Sequence, residues 1–248
     1  MNLSASKLTL GAILSLGLSF TAAAAGKHLE GNMKTASYIP FKAVASQTKA
    51  LNDVLIQGGE IVKNSEPQTK LWFSLKESDT LYAIFDTFLD ENGRTKHVEG
   101  KAAAALKEIS SKAVVDGWDK GVVKNINNYE ILSHHLSKNV GKSTEATYIL
   151  LKAKVGQEKH LSEFLKGSAK TVGETEENTL FWSALKLNDT TFAIFDTYTD
   201  AKGRKAHFEG KVANALKEKS AAWVEGGWDA GVLKNVHNFS ILSQAYHP

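Results

Sequence analysis

Tyr82-Ala-Ile-Phe-Asp-Thr-Phe88 and Phe192-Ala-Ile-Phe-Asp-Thr-Tyr198 are one strand written twice. Because side chains alternate across a strand, Tyr82, Ile84, Asp86 and Phe88 share one face, as do Phe192, Ile194, Asp196 and Tyr198. The offset is 110 positions, and it holds without a gap between residues 38–133 and 148–243. Of the 96 paired positions, 46 are identical. Trp72-Phe-Ser-Leu-Lys answers Trp182-Ser-Ala-Leu-Lys, and Gly117-Trp-Asp-Lys-Gly-Val answers Gly227-Trp-Asp-Ala-Gly-Val. A period this long marks a duplicated domain rather than a short solenoid repeat.

One copy therefore stands for both. A short strand over 38–45 is matched by 148–155. A helix follows, with Leu51, Val54, Leu55 and Ile61 at helical spacing, and Leu161, Phe164, Leu165 and Val172 in the second copy. Pro67 stops the first of these helices. Strands over 70–76 and 81–89 are joined by a short polar turn. Asp90 and Asp200 open a second helix, since a carboxylate there satisfies free N–H groups. The Gly-Trp-Asp turns come next, then a last strand over 121–132 and 231–242. Each copy reads β-α-β-β-α-β, a ferredoxin-like unit of the α+β class. Two helices cover one face of such a sheet, and the bare faces of two units can bury each other. The chain divides into a leader over 1–25, a flexible tail over 26–37, the first copy over 38–133, a linker over 134–147 and the second copy over 148–243.

The bulk composition narrows the function. Thirty basic residues nearly balance 27 acidic ones, and no basic run stands out, which argues against nucleic-acid binding. Cysteine is absent, which removes disulfides, thiolate metal sites and thiol nucleophiles. Met1 to Lys7, the apolar stretch 8–20 and Ala23-x-Ala25 fit a cleaved secretory leader. The apolar run is too short to span a bilayer core of about 30 Å. The expectation is a mature protein that is periplasmic or secreted and has no stable membrane insertion.

The strand 192–198, the following Asp200-Ala-Lys-Gly and the helix with His207 near its start resemble the antibiotic-biosynthesis-monooxygenase (ABM)-like family, with the quinol monooxygenases nearest. In the first copy the same features are strand 82–88, Asp90 and His97. In that family an acidic residue closes the strand, usually glutamate, where this chain has Asp86 and Asp196. Family members pair as homodimers, so the resemblance implies a tandem pseudo-dimeric α/β barrel. It also implies oxidation of quinols or polycyclic phenols by oxygen without metal, flavin or other cofactor.

The candidate catalytic residues are Asp86, His97, Asp196 and His207. An aspartate on an apolar stripe is costly unless partnered, and histidine titrates near neutral pH. Each aspartate reads either as a base or as the partner of a lysine (Lys42, Lys76, Lys152 or Lys186) or a helix cap. Each histidine reads either as a proton carrier at the rim of a bare-face cavity or as a satisfied structural group. Candidate substrate-binding residues are Trp72, Tyr82, Phe88, Trp182, Phe192 and Tyr198, with core filling as the alternative. Trp118 and Trp228 read as plugs of a barrel end. No metal set is spaced correctly: the neighbours His134-His135 and the exchange of Asn127 for His237 do not make one. Asn127/His237, Ala113/Trp223 and Phe73/Ser183 are exchanges that would make two related pockets differ in shape. The functions in competition are a cofactor-free monooxygenase, a binding protein for a lipophilic or aromatic molecule, and a stress-related barrel that fills itself. Further oligomerisation is open.

Overall fold

A computed structural model describes residues 33–248. The expected leader lies outside the described residues. The first copy holds β1 (Thr35–Lys42), α1 (Thr48–Ser65), β2 (Thr69–Lys76), β3 (Leu81–Phe88), α2 (Glu91–Val98), α3 (Lys101–Ala113) and β4 (Asn127–Leu136). The second repeats them as β5 (Glu145–Lys152), α4 (Glu158–Thr175), β6 (Thr179–Lys186), β7 (Thr191–Tyr198), α5 (Ala201–Phe208), α6 (Lys211–Trp223) and β8 (Val236–Tyr246). The ferredoxin-like order expected from the sequence is therefore present twice. Asp90 and Asp200 cap the helices as read, accepting from Gly93 N at 2.9 Å and Gly203 N at 2.8 Å.

The eight strands close into one barrel in the order β1-β3-β2-β8-β5-β7-β6-β4. The last strand of each copy makes the closure. Residues 127–130 of β4 pair with β1 of their own copy, and residues 130–136 pair with β6 of the other. β8 divides itself in the same way between β5 and β2. Neither sheet is left with an open edge to pair with another chain.

Three boundaries move from the sequence reading. β1 begins at Thr35, within the expected tail, because Ala36 and Ser37 are buried against β3 and β4. β4 runs through His134 and His135 to Leu136, within the expected linker, because these residues pair with β6. The last strand begins later than read, since residues 117–125 coil into short helical turns. A partner strand from the other half of the chain is invisible to local pattern.

Alternation then sorts the side chains. Phe85, Phe195, Phe73, Phe181, Tyr38 and Tyr148 fill the barrel interior. Phe85 stacks on Phe195 with centroids 3.7 Å apart, and Tyr38 on Tyr148 at 3.8 Å. The Phe73/Ser183 exchange lies here and is offset by Leu71/Phe181, so each copy contributes one β2- or β6-borne ring. The opposite strand faces meet the helices. Trp72, Tyr82 and Ile84 pack there with Leu51, Leu55 and Leu106, and Trp182, Phe192 and Ile194 do so in the second copy. Truncating Phe85 to alanine will cost about 3–5 kcal/mol, the usual cost of deleting a buried ring. Urea unfolding of the Phe85→Ala variant measures it.

Candidate functional site

Asp86 and His97, singled out separately in the sequence, meet in the fold. Their face of β3 lies under the helices, so His97 is not at the rim of a bare-face cavity but beneath the helical layer. Its Nε2 ion-pairs with Asp86 Oδ2 at 3.3 Å, and its Nδ1 meets Glu66 Oε2 at 2.5 Å. The partner of Asp86 is thus a histidine and not a lysine. The second copy repeats the arrangement: His207 Nε2 lies 3.2 Å from Asp196 Oδ2, and Nδ1 lies 2.5 Å from Glu176 Oε2. All six side chains are nearly inaccessible to solvent.

The local sequence builds this cluster. α1 ends at Ser65, and Glu66 just beyond it turns its carboxylate toward α3; Glu176 does the same after α4, where Glu177 stands in place of Pro67. Glu66 Oε1 accepts from Ala102 N at 3.0 Å, in the first turn of α3, where negative charge is favoured. Gly100 permits this approach, since a Cβ there would sit 2.6 Å from Glu66 Oε1. One cluster therefore ties together the end of α1, α2, β3 and the start of α3.

Electrostatics fixes the charge state. Burial alone would lower the pKa of His97, but Asp86 and Glu66 outweigh it and raise the group to about 9. His207, flanked by Asp196 and Glu176, is pushed up to about 10. Burial pushes the Glu66 carboxyl up, yet the bonds from His97 and Ala102 N leave it below its ordinary value. At neutral pH each histidine is held as an imidazolium, its Nδ1 bonded to a glutamate and its Nε2 within ion-pair distance of an aspartate. It has no lone pair left with which to take a proton.

A cavity of about 400 Å³ lies beside the cluster, between α1, α3 and the outer face of β1–β3. Its wall is mainly apolar, with Trp72, Trp118, Ile84, Val54 and Leu106 prominent, and His97 forms part of it. Gly58 makes room for the Trp72 indole, since a Cβ there would come within 3.0 Å of the ring. Trp118 is therefore a wall of this pocket and not a plug at a barrel end. Of the expected substrate-binding residues in this copy, Trp72 lines the cavity. Tyr82 stacks with Phe41 and Phe88 packs near His97, both outside the lining. Trp182, Phe192 and Tyr198 are buried in the second copy, with Tyr198 packed against His207. Glu66 and Glu176 were missed. Their signal was available: both copies keep a glutamate 31 residues before the histidine. Among the described residues no group of three or more His, Cys, Asp or Glu side chains is arranged to hold a metal ion, and no helix is long and apolar enough to cross a membrane.

No protein-family model matches the sequence, and no curated protein matches it. Solved structures do match in shape. Two described as putative monooxygenases, from Fusobacterium nucleatum and Lactobacillus acidophilus, align with TM-scores of 0.68 each. Identities are 14% and 11%; each covers 87% of this chain, and 95% and 97% of its own. An anthrone oxidase-like protein aligns with a TM-score of 0.56 at 10% identity, over 89% of this chain and 95% of its own. These structures share the fold, which in this chain is a closed eight-stranded barrel built from two ferredoxin-like units, the tandem pseudo-dimeric barrel that the resemblance implied.

Proposed function

We propose that the first copy binds a small lipophilic aromatic molecule of the quinol kind in its helix–sheet pocket, in a protein exported to the periplasm or beyond. The observation that carries this reading is the cavity itself: an apolar chamber of about 400 Å³ between two tryptophans, within the size range of small-molecule sites. Export rests on the apolar stretch 8–20 and the small residues at 22–25.

A second reading, cofactor-free oxidation of the bound phenol by oxygen, is favoured by the Asp86–His97 pair at the pocket wall and by the neighbours named as monooxygenases. The engaged state of both His97 nitrogens favours binding over proton abstraction.

One experiment separates the readings. The mature chain is titrated with N-phenyl-1-naphthylamine, a fluorescent aromatic probe, and oxygen uptake is followed with a panel of reduced quinols. The probe is expected to bind, and the pocket-filling variant Val54→Phe/Val98→Phe to weaken it on the order of 100-fold, because the added rings occupy the volume that the probe needs. Oxygen uptake that Asp86→Asn abolishes would establish the oxidation. Absence of probe binding would overturn the binding site.

A further inference from the structure

The duplication supplies a control that the pocket does not pass. Every residue lining the cavity of the first copy has a counterpart 110 positions later. Six of these counterparts are larger and one is smaller. Val54 becomes Phe164, Val98 becomes Phe208 and Ala102 becomes Val212. Just beyond the lining, Ala113, at the end of α3, becomes Trp223. The new rings are half-buried: Phe164, Phe208 and Trp223 all pack against the buried cluster under α4 and α6, and Phe208 also edges a shallow surface groove. Phe164 and Trp223 bridge those two helices with centroids 5.7 Å apart. Random drift would make about as many side chains smaller as larger, whereas six of the seven changed lining positions gain volume.

We infer that the second copy contains a latent aromatic-binding pocket closed by Phe164, Phe208 and Trp223, so that each chain takes up one ligand and not two. The inference deepens the reading that the first-copy cavity binds a lipophilic aromatic molecule, and rests on it for the ligand class. The second copy retains a structural task. β8 closes the edge of β2, and Ser243 Oγ on β8 donates to Ile56 O on α1 at 3.0 Å. The helix α1 that walls the first-copy pocket thus rests on a strand of the second copy, which explains why a copy with a closed pocket persists. The buried histidine–carboxylate cluster persists there too, as a structural role for it requires.

The test counts sites with N-phenyl-1-naphthylamine. The wild-type chain should bind one equivalent. Phe164→Val/Phe208→Val/Trp223→Ala should bind two, and the same triple variant carrying Val54→Phe/Val98→Phe should bind one, now in the second copy. Two equivalents in the wild type, or a folded triple variant that still binds one, would overturn the inference. If the triple variant does not fold, Trp223→Ala alone is used, and no rise above one equivalent at saturating probe counts against it. A wild type that binds nothing would overturn the first-copy reading alone. In that case one equivalent on the triple variant would still uphold the latent pocket.

Discussion

Between pH 6.5 and pH 9.5 the folded chain will lose stability on the order of 5 kcal/mol, with the folded fraction otherwise unchanged in architecture. The cause is the pair of buried imidazoliums. In the unfolded chain each histidine titrates near its ordinary value of about 6.5, whereas in the fold His97 and His207 are raised to about 9 and about 10. A raised pKa means that the folded state holds the proton more tightly. Its contribution is complete below pH 6.5 and falls as the pH climbs through the folded values, about tenfold in the folding constant per pH unit for each histidine. The opposite limb belongs to Glu66. Its pKa is lowered, so its contribution is present above the ordinary carboxylate range and is lost on acidification. Urea unfolding at half-unit steps measures the profile. The window should stop below pH 10, because the buried Tyr38, Tyr129 and Tyr148 hydroxyls are also pushed up, and their effect sets in above the ordinary tyrosine value. His97→Gln/His207→Gln should be less stable throughout and nearly flat across this range. A wild-type profile as flat as that variant's would mean that the histidines are not held charged.

The repeat, the element order and the caps at Asp90 and Asp200 were legible because they depend on local chemistry and on an alignment that needs no second sequence. The pairing of Asp86 with His97 was half legible. Both residues stood out, but the strand face that carries them could have turned either to the barrel interior or to the helices. Phe85 and Phe195 decided the matter by filling the interior, a choice that rests on both copies together. Glu66 escaped notice because it sits in a polar stretch that reads as a helix exit, and its partner is 31 residues away. The strand residues at 134–136 escaped because their partner, β6, belongs to the other copy. What the sequence hid was in each case a contact across the pseudo-dimer or between distant segments of one copy.

Replacing His97 with leucine will destabilise the chain by about 3–5 kcal/mol or more, since removing one member of a buried ion pair leaves charge without compensation. Two carboxylates, Glu66 and Asp86, would be stranded. Asp86 is already poorly provided for, because its Oδ1 has no hydrogen-bond partner in the fold. Stranded carboxylates recover by taking up protons, so the deficit of His97→Leu should shrink as the pH falls from 7 toward 5, whereas a mere packing defect would not respond to pH. Asp86→Asn should cost less, because Glu66 still balances the imidazolium. The decisive comparison is His207→Leu. It lies in the copy whose pocket is filled, yet its cluster has the same geometry within 0.1 Å at both contacts. Equal losses at the two sites would assign the cluster to the framework that holds α1, α2 and α3 on the sheet, with the pocket built beside it. A loss of ligand binding in His97→Leu that exceeds its loss of stability, with His207→Leu neutral for binding, would instead place His97 in contact with the ligand. That result would return weight to the oxidative reading, because it would put the imidazolium and its carboxylate partners in direct contact with the bound molecule.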